Sequence, residues 1–180
     1  MKILYLHQYF NTSEMPGSTR SYEFSKRLVQ NGNIVYMITS NWQNKSLKKY
    51  SEKNGIKIFW APIKYSNKMG FFFRIIAFAR FVFFSFKMGL KLDYDLIIAS
   101  STPLTIGIPG IILKKIKGVK LIFEVRDVWP QLPIAIGFLK SKFLIKISKI
   151  LEKKIYKISD KIIALSDGMK LEILKVIPDS

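Results

Sequence analysis

The chain contains no cysteine and only one histidine, His7. Disulfides, thiolate nucleophiles and cysteine metal ligands are therefore excluded, and a single imidazole cannot make an HExxH zinc site. Secretion and zinc chemistry are both poorly supported, and no metal site is expected. Arginine is also scarce, with Arg20, Arg27, Arg74, Arg80 and Arg126 the only five among 30 basic residues. Bidentate reading of bases relies on arginine, so a sequence-specific DNA reader is disfavoured. Acidic residues number only 12, leaving a formal net charge of +18 that asks for an anionic partner and says nothing about fold. What is abundant is apolar material, 49% of 180 residues, enough for one domain with a genuine core.

No targeting segment is evident. The apolar run from Met1 to Leu6 stops at His7 and Gln8, too short for a signal-peptide core, and reads as a buried first strand. The stretch from Met69 to Leu90 holds eight of the 14 phenylalanines but is interrupted by Arg74, Arg80 and Lys87. An arginine at mid-span costs roughly 2.5 to 3.5 kcal/mol, which disfavours a transmembrane helix.

Six runs rich in β-branched and apolar residues read as strands: 2–7, 34–39, 56–60, 95–100, 119–125 and 161–166. They are continuous rather than alternating, as a parallel sheet covered on both faces requires. Helical patterns fill the gaps at 18–31, 70–91, 104–117, 141–158 and 167–176, the first ending at Asn31-Gly32 and the third at Gly118. The expected fold is α/β: a single Rossmann-like domain over 1–180, a doubly wound parallel sheet of about six strands in the order 3-2-1-4-5-6, with helices on both faces. Residues 40–54, with Lys45, Lys48, Lys49 and Lys53, read as a solvated loop between the second and third strands.

Such sheets bind ligands beyond the carboxyl ends of their strands, which directs attention to three loops. The first runs from His7 through Gly17, Ser18 and Thr19 to Arg20 and enters a helix, where backbone amides attract anions. It lacks the three spaced glycines of a dinucleotide fingerprint, and a flexible connection with a hydroxyl cap would also explain it. The second, Ser100-Ser101-Thr102-Pro103, is explained by capping alone. The third is Glu124-Val125-Arg126-Asp127-Val128-Trp129-Pro130, two carboxylates and a guanidinium followed by Trp-Pro. An Arg–Asp ion pair beside a packed Trp is the bland alternative there. His7 should lie beside this corner, where a lone histidine is more often a satisfied hydrogen-bonding residue than a catalyst.

On the 141–158 helix, Lys142, Lys146, Lys149, Lys153 and Lys157 fall in one arc of about 80° at 100° per residue. Leu144, Ile147, Leu151, Ile155 and Ile158 take the opposite side. Lysines facing water explain this, and so does a basic amphipathic helix on an anionic lipid surface, worth about 1 kcal/mol per well-placed lysine.

Several motifs together carry a family resemblance. His7-Gln8-Tyr9-Phe10, Gly17-Ser18-Thr19-Arg20-Ser21-Tyr22-Glu23 and Asn31-Gly32-Asn33-Ile34-Val35 resemble the opening of family 4 glycosyltransferases, in particular the WbuB-like branch that builds bacterial surface polysaccharides. Glu124 to Pro130 is similar to that branch's internal motif, and Ser159 to Ser166 to its last N-domain strand. The resemblance implies half of a two-domain GT-B enzyme that retains anomeric configuration and needs no metal or other cofactor. The N-terminal half holds the acceptor, and the other binds a nucleotide-sugar substrate.

Carried over, Gly17, Ser18 and Thr19 would approach the donor phosphates. Asp127 and Arg126 would be the catalytic candidates, either one matching the polar residue that other branches place after the fifth strand. His7, Arg20, Ser101, Thr102, Glu124 and Trp129 would line the acceptor side. The family's donor-half glutamates, eight positions apart, have no counterpart here: Glu152 is followed at that spacing by Asp160 and Glu172 by Ser180. The resemblance therefore implies an acceptor half whose donor domain is missing, with no sugar transfer by this chain alone. Implied partners are a nucleotide-sugar, a polyprenyl-diphosphate-linked saccharide and the anionic inner face of the bacterial plasma membrane, approached from the cytoplasm. Nucleic acid is not expected. A different class of function, a non-catalytic membrane-docking subunit recruiting a separate donor-binding chain, remains open to the same residues.

Overall fold

The computed structural model describes residues 1–41, 49–66, 69–135, 137 and 139–178. Strands β1 (Lys2–Leu6), β2 (Ile34–Ser40), β3 (Tyr50–Lys53), β4 (Ile56–Ala61), β5 (Leu96–Ser100), β6 (Lys120–Val125) and β7 (Lys161–Ala164) form one sheet in the order β3-β4-β2-β1-β5-β6-β7. Helices α1 (Arg20–Gln30), α2 (Phe71–Lys91), α3 (Gly107–Lys117), α4 (Gln131–Ala135), α5 (Lys142–Ile158) and α6 (Asp167–Val176) complete it. All pairings are parallel except β3 with β4. The six expected strands and their order stand.

The seventh strand corrects the reading of 40–54 as a loop. Tyr50–Lys53 pairs antiparallel with β4, and Gly55 and Asn54 at positive φ turn the chain between them. Its residues, Tyr-Ser-Glu-Lys, alternate between half-buried and exposed, as at a polar sheet edge, so composition hid the strand. Lys45 and Lys48 lie outside the described residues. Three smaller differences concern helices. The first begins at Arg20, residues Leu104–Ile106 form a 3-10 turn ahead of α3, and the short α4 after Trp129-Pro130 has too little periodicity to be read from sequence.

Strand alternation sends odd and even residues to opposite faces. Ile3, Tyr5, Val35, Met37, Ile56 and Ile58 pack with Tyr22 of α1 and with Phe10. Leu4, Leu6, Ile38, Ile97, Ala99, Leu121 and Phe123 pack with Phe81 of α2, Leu113 of α3 and Ile155 of α5. A side chain at Gly107 would sit 2.4 Å from Ile155 Cδ1, so this glycine lets α3 and α5 close on each other. No helix among the described residues is long and apolar enough to cross a membrane.

Candidate functional site

β1 lies between β2 and β5, so the chain direction away from the first strand reverses there, and the loops beyond its carboxyl end diverge. Register brings distant sequence together at this edge. Leu6 pairs with Ala99 and Ser100 with Glu124, so His7, Ser100 and Glu124 stand nearly level on three adjacent strands. Tyr5 and Glu124 face the same side across β5. Two strand spacings separate β1 from β6, about 10 Å, and the small Ser100 between them leaves room for long side chains to meet.

They meet in two tiers. In the lower tier the buried Glu124 carboxylate receives Ser100 Oγ at 2.6 Å, Tyr5 Oη at 3.3 Å and Arg20 Nε at 3.0 Å. Burial, and then the neighbouring Glu124 charge, push the Tyr5 phenol well above its ordinary value. In the upper tier the Arg126 guanidinium reaches back across β5 to His7, with Nη1 2.7 Å from Nε2. The other imidazole nitrogen, Nδ1, lies 2.7 Å from Ser21 Oγ on α1. Arginine can only donate, so Nε2 accepts and Nδ1 carries the proton. Burial first, and the Arg126 charge second, lower the His7 pKa to about 3, which keeps the ring neutral. Arg126 Nη2 also donates to Ser18 Oγ at 3.4 Å.

Beside this tier stands Asp127, the next residue after Arg126, whose Oδ2 accepts from the Thr102 hydroxyl. Ser101 Oγ accepts from the Arg126 backbone N–H at 3.0 Å. The hydroxyl run after β5 is thus spent on the β6 loop, and neither Pro103 nor Ile106 caps the following turns with a side chain. The bland Arg–Asp pair is also absent, because no ion pair between Arg126 and Asp127 occurs among the described residues. Beyond these groups opens a cleft of ≈ 350 Å³ lined by His7, Tyr9, Asn11, Gly17, Ser18, Thr102, Arg126, Asp127 and Leu165. Gly17 has φ 119°, and a Cβ there would stand 2.6 Å from Asn11 Nδ2, so the loop that closes the cleft over α1 requires glycine.

Of the residues expected at the site, His7, Gly17, Ser18, Thr102, Arg126 and Asp127 line this cleft. Arg20, Ser101 and Glu124 support it from below or behind. Thr19 is the N-cap of α1 but makes no capping bond through its side chain. Trp129 turns away into a separate apolar pocket of ≈ 90 Å³, with Ile75 and Phe78 of α2 and Leu144 and Leu151 of α5. Tyr9, Asn11 and Leu165 were not singled out from sequence. Tyr9 and Asn11 did carry a signal, their place in the loop past the carboxyl end of β1, whereas Leu165 fell within the expected strand 161–166 and becomes a loop residue because β7 ends at Ala164.

Lys142, Lys146, Lys149, Lys153 and Lys157 are all exposed on α5, and none lines the cleft. Ile147 does not sit on the covered side as expected and is 45% exposed. The C-terminal half of α5 is seated by Glu152, Ile155 and Tyr156, whereas its N-terminal half leaves Phe143, Ile147 and Ile150 in the open. Phe72, Phe73 and Phe83 are likewise exposed on α2. No cluster of three metal-ligating side chains occurs among the described residues.

The sequence profile of Glycosyltransferase Family 4 matches residues 17–179. No curated protein matches the chain significantly. Among solved structures, sucrose-phosphate synthase from Thermosynechococcus elongatus superposes with a TM-score of 0.67 at 16% identity, over 97% of this chain and 44% of that one. A structure titled Anabaena Alr3699/HepE in complex with UDP and glucose gives a TM-score of 0.49 at 16% identity, over 98% of this chain and 41% of that one. The chain thus spans less than half the length of these proteins, and the first likeness bears on the fold, a Rossmann-like GT-B half.

Proposed function

The chain belongs to glycosyltransferase family 4, and on that footing we propose that it is the acceptor-binding half of a retaining glycosyltransferase. In this reading a sugar passes from a nucleotide-sugar to a polyprenyl-diphosphate-linked glycan in bacterial O-antigen, capsule or exopolysaccharide synthesis. The supporting observation is the cleft beyond β1, β5 and β6, which Asp127 and Arg126 both line with no ion pair between them among the described residues. Thr102 fixes the rotation of the carboxylate through Oδ2. Such a carboxylate can accept the hydrogen bond, and then the proton, of an acceptor hydroxyl as it attacks the anomeric carbon on the face from which the nucleoside diphosphate departs, so that the bond to the donor breaks as the new one forms and configuration is retained. The donor base and ribose belong to a second domain, so this chain alone binds acceptor and transfers nothing.

The exposed lysines of α5 suit the anionic, cytoplasmic face of a plasma membrane, with Phe143 and Ile147 beside them to enter the interface. Calorimetric titration of the 180-residue chain separates the acceptor reading from its rivals. Saturable binding of a short prenyl-diphosphate saccharide, with no turnover of nucleotide-sugar, is the expected result. Binding of nucleotide-sugars with no affinity for the saccharide would overturn it.

A further inference from the structure

Arg126 is an arginine held in place without a countercharge. Its described side-chain contacts are both neutral acceptors, the His7 imidazole at 2.7 Å and the Ser18 hydroxyl at 3.4 Å. The nearest buried carboxylate, Glu124, is already matched by Arg20, and Asp127 is turned to Thr102. An arginine needing only structural satisfaction would be expected to take a carboxylate, because charge-assisted pairs are the stronger ones. Here the guanidinium is instead braced by a ring that cannot share its charge. His7 is 1% exposed and gives its own proton to Ser21, so it offers Arg126 a lone pair and nothing else.

The orientation matters as well. Parity along β1 and β6 sets His7 above Tyr5 and Arg126 above Glu124, so the floor beneath the guanidinium is filled by an internally neutral pair, Arg20 with Glu124. The guanidinium has five N–H donors, of which Nη1 and Nη2 each spend one on a neighbour. Its other donors make no described side-chain contact, and Arg126 lines the cleft together with Gly17 and Ser18. A planar cation with spare parallel donors, held rigidly at a cleft wall, is the arrangement that recognises a phosphate oxygen pair.

We propose that the His7–Arg126 pair is a diphosphate receptor, with Arg126 the binding residue and neutral His7 the positioning residue that fixes its fork. The subsite stands on this geometry, and it rests on the sugar-transfer reading only for the source of the diphosphate. Two substrates of that reaction carry the same group, the nucleotide-sugar and the lipid-linked acceptor.

Titration of the 180-residue chain with inorganic pyrophosphate, followed by amide and arginine side-chain NMR, tests the subsite. Saturable shifts at Gly17, Ser18 and Arg126 are expected, with about tenfold or greater weakening in Arg126→Gln, the loss of one charge-assisted pair. In His7→Phe the separate Nη signals of Arg126 should merge as the guanidinium rotates freely, and affinity should fall severalfold. His7→Gln, whose amide oxygen can accept from Arg126, should restore both and guards against a folding defect. Shifts confined to the lysines of α5, or undiminished binding in Arg126→Gln, would overturn the proposal.

Uridine diphosphate and farnesyl diphosphate then distinguish the sources. Whichever gains more over pyrophosphate in an Arg126-dependent manner identifies the substrate. Loss of the pyrophosphate site with saccharide binding intact would remove this inference alone. The reverse pattern would remove the acceptor reading and leave the receptor standing.

Discussion

Arg126 Nη1 lies 2.7 Å from Nε2 of His7, one step above the contact of Tyr5 Oη with Glu124 at 3.3 Å. The same parity rule produces both contacts, since each partner is displaced by two residues along its own strand direction. A buried tier that is electrically closed therefore supports an upper tier that is not. The site's chemistry follows from this difference: the carboxylate below is consumed by the fold, and the guanidinium above remains at the disposal of a ligand.

The neutral state of His7 has a consequence for acid stability. Its folded pKa of about 3 lies below the ordinary 6.5, so the unfolded chain takes up a proton in that window while the folded chain does not. Stability is complete above pH 6.5 and is lost as pH falls towards 3, by at most about 1.4 kcal/mol per pH unit from this group. Thermal unfolding should accordingly be less pH-sensitive between 6.5 and 4 in His7→Gln than in the native chain. The His7 Cε1 proton should show no titration between pH 8 and 5. A midpoint near 6.5 would refute the assignment of Nε2 as acceptor.

Asp127 should prove more important for transfer than for donor binding. Asp127→Asn keeps an oxygen for the Thr102 hydroxyl and removes only the basic charge, so the loop should hold its shape. In an enzyme carrying both halves, turnover should fall by about 100-fold or more, the usual worth of a positioned base. Nucleotide-sugar affinity should stay nearly constant. Near-normal turnover would exclude Asp127 from the reaction.

The α5 lysines should act at the lipid surface without touching the cleft. Changing Lys146, Lys149 and Lys153 to Glu should lower co-sedimentation with anionic vesicles at least tenfold, given about 1 kcal/mol per lysine near the surface. Pyrophosphate binding should be unaffected, since none of the three lines the cleft. Vesicles of neutral lipid, or raised salt, should abolish the difference between the proteins. Undiminished sedimentation of the triple variant would sink the membrane role of this helix.

Much of this was legible in the chain itself. Uninterrupted apolar runs such as Leu96–Ser100 announce buried parallel strands, and the polar loops at their carboxyl ends mark the site before any coordinates are known. Strand β3 was not legible, because an edge strand of Tyr-Ser-Glu-Lys carries the composition of a loop and owes its existence to pairing with β4. The division of labour at the site was hidden for a related reason. Glu124, Arg126 and Asp127 are near neighbours in sequence, and only register decides that the first faces Arg20, the second His7 and the third Thr102. Trp129 likewise reads as a cleft residue until packing turns it towards Leu144 and Leu151.

A buried carboxylate elsewhere gives the last test. Glu152, on the inner side of α5, is 2% exposed, and burial pushes its pKa up to about 7, against smaller opposing effects of the Tyr156 hydroxyl and Lys149. The ordinary value is 4.5, so between pH 4.5 and 7 the unfolded chain releases a proton that the folded chain retains. Stability therefore declines as pH rises through that window and levels off above it. Glu152→Gln removes the charge and keeps a partner for Tyr156, so at pH 8 it should be more stable than the native chain by about 1 to 2 kcal/mol in urea unfolding. The advantage should shrink as pH falls through 4.5 and vanish below it, where Glu152 is neutral in the folded and the unfolded chain alike. A difference that does not change with pH would mean that Glu152 is ionised in the folded protein, and that the gain came from packing alone.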